Sequence, residues 1–398
     1  MSTVRIKMAQ LHSFSTSSSV VGLAETFVAP ARVNLLGEHT DYTGGLVLPM
    51  AIPFYTHAAI TSNAAGTYRF GSSIFTNTRE MGRDDRSPRI DDWSDYPVGV
   101  LRQLQKRGIE PAPFDMRLSG NVPFAAGVSS SASMEVATAY ALLAAAKATL
   151  PLEEVAVLCR AAENDYVDSP CGIMDQFSIV AAKAGHALLL NTRTLQYDHL
   201  PMNRGALSET QIVVCNSMVK HSVASGEYGV RHREVLEGQA VLMAQFQALR
   251  DLGDATLVQL ESARSAMSHE SYLRCRHIIS DNARVLGAKD AMFTGDPKAL
   301  GQLMLEGHAS ERDDFACSCE EIDFLVETAA ALPGCHGSRL TGGGFGGCTV
   351  SLVERTQTAA FTTALTDSYQ KRFGIAAEIY ICEAVDGAAL RNGAEPVA

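Results

Sequence analysis

The sequence predicts a two-lobed protein of mixed helices and strands. Three observations carry that expectation. The 398 residues exceed the roughly 100–200 that one domain usually holds. The first half alternates short β-type stretches with apolar helical ones. Beyond about residue 200 the alternation gives way to several long helical stretches, which places a lobe boundary there.

In chain order, residues 1–22 are serine-rich and read as a loosely ordered extension. Phe27-Val28-Ala29 and Val33-Asn34-Leu35-Leu36 read as two short strands. Thr43-Gly44-Gly45 then forms a turn before an apolar strand, Leu46 to Leu48. The charged stretch 76–95 reads as a surface loop, and Arg117 to Gly120 as a strand leading into Pro123. Ser129 to Leu150 is alanine-rich, with Val136, Tyr140 and Leu143 on one face, and predicts a helix that Pro151 ends. A second helix runs from Leu152 to about Tyr166 and stops at Ser169-Pro170. A third starts at Ile173, and His186 to Asn191 is a strand. The second half opens with a strand, Gln211 to Asn216, then helices over 231–250, 271–286 and 318–332. A glycine-rich tract over 342–347 leads into the strand Cys348 to Val353.

Composition excludes several classes. A net charge of −11 argues against non-specific nucleic-acid binding, so a polyanionic ligand needs a local site. Nine cysteines are scattered, and the C-x-C pair Cys317 and Cys319 lacks the partners of a zinc site. Reduced thiols in a cytoplasmic protein are expected. The first residues lack the apolar core of a signal peptide, and no apolar run reaches membrane-spanning length.

Three tracts carry chemistry. Pro123 to Ser133 joins a strand to a strong helix. Its small residues let the backbone approach a ligand, and free N–H groups at the helix start favour an anion. Ser129, Ser130 and Ser131 offer hydroxyls to phosphate or to Mg²⁺. Alone, the tract reads better as a serine-capped helix after an ordinary loop, since serine is a common cap, and it lacks the lysine of the Walker type. Glu163 and Asp175 follow in the same lobe. Asp175, in the first turn of the third helix, is placed to stay anionic and to accept a hydroxyl proton, and Glu163 to hold a cation. The ordinary reading of both is a surface or dipole-complementing carboxylate. The third tract crowds Arg32, Glu38, His39, Asp41 and Tyr42 between apolar strands. Buried without partners such groups cost stability, so a polyhydroxylated ligand fits them better than a metal. A polar hairpin turn is the bland alternative. Arg32 has two possible partners, a phosphate oxygen or Asp175.

Together these tracts resemble the GHMP kinase superfamily and, within it, the galactokinases. APARVNLLGEHTDYTGGLVLPMAI at 29–52, AAGVSSSASMEVA at 125–137 and LTGGGFGGCTVSLV at 340–353 are similar to the three family motifs. CGIMDQF at 171–177, HSVASGEYGVR at 221–231 and ERDDF at 311–315 match galactokinase patterns, and the likeness covers about residues 26 to 390. It implies a two-lobed α+β GHMP kinase fold with the active site in the interlobe cleft. The N-terminal lobe would span 23–200, the C-terminal lobe 201–375, and residues 376–398 would return to the first lobe, with Glu378 to Cys382 as the returning strand.

The resemblance also implies roles. Glu38, His39, Thr40 and Asp41 would bind galactose hydroxyls, with Gly172 and Tyr228 lining the same pocket. Asp175 would be the catalytic base, and Arg32 would stabilise the transferring phosphoryl group or tune Asp175. Ala125, Ala126, Gly127, Val128, Ser129, Ser130 and Ser131 would wrap the ATP phosphates, and Ser131 and Glu163 would hold Mg²⁺. Trp93 and Tyr96 would pack against adenine, although a lone tryptophan also serves as a core anchor. The third-motif glycines would bring a C-terminal loop to the first lobe's site. Ala31 and Ala125 stand where the family usually has glycine, which asks for a regular backbone there, and Thr43 replaces a common asparagine. Direct phosphoryl transfer by a monomer is expected. The rivals are a kinase for N-acetylgalactosamine, arabinose or galacturonate, and a non-catalytic sugar sensor. The plain Glu38-His39-Thr40-Asp41 segment disfavours the first rival, and the Ser131-Ala132 pair disfavours the second.

Overall fold

The computed structural model describes residues 24–123, 126–220 and 224–391. The predicted N-terminal extension therefore lies outside the described residues.

The N-terminal lobe opens with β1 (Glu25–Asn34), β2 (Leu46–Val47), β3 (Pro49–Ser62), β4 (Thr67–Ser72) and β5 (Arg79–Gly82). Helix α1 (Asp95–Lys106), β6 (Phe114–Gly120), α2 (Ser130–Ala145), α3 (Leu152–Ala162) and α4 (Met174–Ala181) follow, then β7 (His186–Asn191) and β8 (Tyr197–Pro201). The two strands expected over 27–36 are one. β1 pairs along its whole length with β3, and the register shifts between Pro30 and Ala31, so Pro53 and Phe54 of β3 find no partner. The bulge reconciles two prolines with a ladder that needs N–H donors. Ala31 sits at that bulge without a positive φ, so alanine fits where the family often has glycine. The stretch expected as a loop over 76–95 contains β5, which pairs with β4.

The C-terminal lobe holds β9 (Thr210–Lys220), α5 (Ala224–Gln245), α6 (Leu257–Ala263), α7 (His269–Thr294), α8 (Pro297–Ser310) and α9 (Glu320–Ala331). It continues with β10 (Cys335–Thr341), β11 (Gly346–Glu354), α10 (Thr358–Phe373), β12 (Glu378–Cys382) and β13 (Ala389–Arg391). One expectation is corrected here. Glu378–Cys382 does not return to the first lobe; it pairs with β9 at the edge of the sheet β10-β11-β9-β12. The returning strand is Ala389–Arg391, antiparallel to β1. Tyr380 and Cys382 pack on the apolar cluster of β9 and β11, which holds the earlier segment in place.

The other sheets run β13-β1-β3-β6-β4-β5 and β2-β7-β8. Helices α1 to α4 cover one face of the six-stranded sheet. A second apolar cluster spans both lobes: Val33, Leu36, Met50 and Ile52 meet Val214, Met292, Met304, Val350 and Leu352. Continuous apolar contact of this kind fixes one lobe against the other.

Candidate active site

The phosphate-loop tract lies against the strand that carries Arg32. The Arg32 N–H donates to the Val128 carbonyl at 3.2 Å. Gly127 and Ser129 both have positive φ, 78° and 61°, which turns the chain sharply into the first turn of α2. No side chain caps the start of α2, and a helix N-terminus of this kind suits an anion. Ala126 and Val128 are buried in the interlobe cluster and support the loop from beneath. Ala125 lies outside the described residues.

Asp175 meets this loop. Arg32 clamps its Oδ1, from Nη2 at 2.7 Å and Nε at 2.9 Å, and the Ser129 hydroxyl donates to Oδ2. The remaining arm of Arg32 donates to the Gly127 carbonyl at 2.7 Å. Of the two partners that the sequence allowed Arg32, the structure shows Asp175. The carboxylate is held from two sides and is 26% exposed, so one face stays open.

That face looks into a cavity of about 490 Å³ lined by Arg32, Glu38, His39, Asp41, Gly172, Asp175 and Tyr228, together with Asp168 to Cys171, Met174 and Gly342-Gly343. Four separated tracts of the sequence thus share one chamber. The His39 ring stacks on Phe315, with centroids 4.1 Å apart, and its buried Nε2 has no protein partner. Burial pushes its pKa down to about 3, so the ring is a neutral imidazole. Burial, then the nearby Asp175, pushes the Asp41 carboxyl up to about 6. Its Oδ2 accepts from the Met174 N–H at 3.2 Å. A Cβ on Gly172 would lie 1.9 Å from that oxygen, so only glycine leaves Asp41 its place. Glu38 is buried, accepts from Asn34 Nδ2 at 2.6 Å and the Gly342 N–H at 3.0 Å, and forms an ion pair with Arg339, Nη2 to Oε2 2.9 Å. Burial raises its pKa against the pull of Arg339.

Thr40 departs from expectation. It is fully buried, and its hydroxyl is engaged by the carbonyls of Gly37 at 2.9 Å and Leu46 at 2.7 Å. It shapes the loop and does not line the cavity, because a short side chain at that turn reaches the backbone first.

Beside Asp175 lies a buried acidic pair. Gln176 Nε2 donates to Glu163 Oε2 at 2.8 Å and to Glu135 Oε2 at 3.0 Å. Burial raises both carboxyls, Asp175 raises Glu163 further, and the Ser131 hydroxyl bonds Glu163 and lowers it. Glu163 begins a π-helical turn, Glu163–Val167, that continues α3. No cluster of three His, Cys, Asp or Glu residues suited to a metal occurs among the described residues. A hydroxyl and a desolvated carboxyl pair nonetheless match the oxygen donors that a Mg²⁺ ion shared with phosphates takes. Sequence reasoning missed Glu135 and Gln176, and their signal was position: Glu135 lies four residues after Ser131, one helical turn on.

Trp93 is buried, stacked on Phe75 with centroids 5.7 Å apart, and its indole N–H donates to Asn77 at 2.8 Å. It packs in the core of the first lobe, and neither it nor Tyr96 lines the cavity that Asp175 faces. Tyr96 is half-buried and within the field of Glu163 and Glu135, so it borders the acidic pair. The third-motif loop does reach the first lobe. Gly342 has φ 89°, and a Cβ there would lie 2.7 Å from the Gly127 carbonyl.

Comparison with known proteins agrees with this geometry. The model for the galactokinase galactose-binding signature matches residues 19–62, and those for the GHMP kinases N terminal domain and C terminal match 95–183 and 288–370. The chain is 37% identical over 388 residues to the galactokinase of Halalkalibacterium halodurans, covering 96% of this chain and 98% of that one. It is 39% identical to the human galactokinase, covering 90% of each. Its fold superimposes on a crystal structure of Lactococcus lactis galactokinase complexed with galactose, with TM-score 0.88, 30% identity and coverage of 92% and 95%. A Methanococcus jannaschii mevalonate kinase, at 16% identity and TM-score 0.65, shares the fold. The chain belongs to the galactokinase family of GHMP kinases.

Proposed function

We propose that the protein transfers the terminal phosphate of ATP to the anomeric hydroxyl of galactose, giving galactose 1-phosphate and ADP. The observation that carries this reading is the position of Asp175. Its carboxylate is held by Arg32 and Ser129 where the polar cavity meets the phosphate loop.

In this reading the sugar lies in the cavity, with hydroxyls donating to Glu38 and Asp41 and one meeting the unpartnered Nε2 of His39. Asp175 takes the anomeric proton from the attacking oxygen. Arg32 keeps the base oriented and lends positive charge to the phosphoryl group, while the backbone of Ala126 to Ser131 cradles the phosphates. Ser131 and Glu163 would hold Mg²⁺, which when bound offsets phosphate charge. Trp93 and Tyr96 would border the adenine. The chain would act as a cytoplasmic monomer.

The test is ADP release with galactose, galactosamine derivatives, arabinose and galacturonate. Galactose should turn over fastest, and silence with galactose would sink the proposal. Asp175→Asn should lower kcat by ~10²–10⁴-fold, the usual loss for a general base, while calorimetry still detects galactose binding. A kcat within tenfold of the parent enzyme would remove Asp175 from that role.

A further inference from the structure

The loop that carries Glu38 and His39 is held from below by a buried ionic assembly of the other lobe. Arg339, in β10, is fully buried. Its Nη2 meets Glu38 Oε2 at 2.9 Å and Glu311 Oε1 at 2.7 Å. Its Nη1 donates to the Leu35 carbonyl and its Nε to the Leu340 carbonyl, both at 3.1 Å. Two further bonds hold the loop backbone. The Gly37 N–H donates to Asp281 Oδ2 at 2.7 Å, and His277 Nε2 lies 3.1 Å from the Glu38 carbonyl. Asp281 in turn is paired with Arg284 at 2.7 Å.

The arrangement is unusual for a structural ion pair. Two carboxylates converge on one guanidinium nitrogen, and one of them, Glu38, faces the cavity. Ionised carboxylates are costly to bury without a fixed cation. The planar guanidinium reaches two carbonyls and two carboxylates at once, which a lysine ammonium does not do. Arg339 touches none of the cavity space itself.

We propose that Arg339, backed by Glu311, is a positioning residue for sugar recognition: it holds the Glu38 carboxyl aimed so that it can meet one particular sugar hydroxyl. The proposal rests on the reading that Glu38 accepts a hydrogen bond from the sugar. Arg339 thereby couples the third-motif strand to sugar affinity, apart from the motif's contact with the phosphate loop.

The experiment measures binding of galactose and its monodeoxy analogues to the full chain by calorimetry, for Glu38→Gln, Arg339→Lys, Arg339→Met and Glu311→Gln. Folding is checked by thermal melting, and KM for ATP is determined alongside. Glu38→Gln should weaken galactose but leave one monodeoxy analogue unaffected, which identifies the hydroxyl. The Arg339 variants should weaken galactose at least about tenfold, spare the same analogue, and leave KM for ATP unchanged. Arg339→Lys should recover part of the loss. Equal weakening of every analogue by Glu38→Gln would overturn the underlying reading of Glu38. An analogue signature for Glu38→Gln that the folded Arg339 variants lack would overturn this proposal alone. If neither Arg339 variant folds, Glu311→Gln decides: it should shift affinity with the same analogue signature, and wild-type affinity would overturn the proposal. Failure of all three to fold would assign the arginine to the fold as a whole and overturn it too.

Discussion

His39 has φ 62°, a conformation that non-glycine side chains rarely adopt, and its ring is sandwiched near Phe315 and Tyr228. Backbone strain of this kind persists where surrounding contacts over-determine it, often at a binding site. The ring is neutral, with its pKa held near 3, and one nitrogen is left without a partner. A neutral imidazole donates or accepts but does not change charge across the working range. His39→Leu should therefore raise KM for the sugar about 10–100-fold by leaving a hydroxyl unpaired, with kcat less affected. The loss should be the same at pH 6 and pH 8, because no titration of this ring falls between them. A loss that grows as pH falls would show a charged histidine instead. The crowding of Arg32, Glu38, His39, Asp41 and Tyr42 was legible in the sequence as a site for hydroxyls, since five polar groups between apolar strands need partners. The role of Arg339 was not legible. It lies 301 positions from Glu38, and only the fold brings the two together.

At the scale of elements, the third-motif loop between β10 and β11 shows what a glycine run is for. Gly342 has positive φ, its missing side chain lets it lie against the Gly127 carbonyl, and its N–H donates to Glu38. Gly342→Ala should thus disturb two substrates together. A Cβ 2.7 Å from a backbone oxygen must displace one of the two loops. Kinetics should show KM rising for both ATP and sugar, with a stability loss of about 1–3 kcal/mol from strain and overpacking. An effect on one substrate alone would separate the loop from the coupling drawn here. The same element scale explains what the sequence concealed. Helix α2 and strand β7 were readable from alanine content and apolar runs. β3 was hidden because Pro49 and Pro53 look like breaks, whereas the first begins the strand and the second sits in the bulge opposite Pro30 and Ala31. The returning strand was misplaced because only the fold shows Cys382 packed with β9 and β11, which keeps Glu378–Cys382 in the second lobe and leaves Ala389–Arg391 to pair with β1.

Over the whole molecule, groups that burial has shifted in opposite directions set a pH dependence that ligand binding should change. His39, His232 and His277 are all held neutral by burial. Below pH 6.5 the unfolded chain takes up protons that these rings refuse, so stability falls as pH drops. Asp41, Glu38 and Glu163 are shifted the other way, Asp41 to about 6 and Glu38 to about 8. As pH rises past the ordinary carboxylate range, the folded chain keeps protons that the unfolded chain has released. Their contribution is full below about pH 4 and is lost as pH climbs through 6 to 8. The ligand-free protein should therefore be most stable near pH 6–7 and lose Tm toward pH 8.5. Sugar hydroxyls bond best to ionised carboxylates, which favours the charged forms of Glu38 and Asp41. Galactose should thus bind more tightly as pH rises, and ligand stabilisation grows with affinity. Melting curves with and without saturating galactose should diverge between pH 6 and 8.5, and Glu38→Gln should flatten the decline of the ligand-free curve. An equal galactose-induced Tm shift at both ends of that range would mean that the carboxyls of the cavity are already ionised in the free protein. The sugar would then meet a site whose charge is fixed by Arg339 and Arg32 before it arrives.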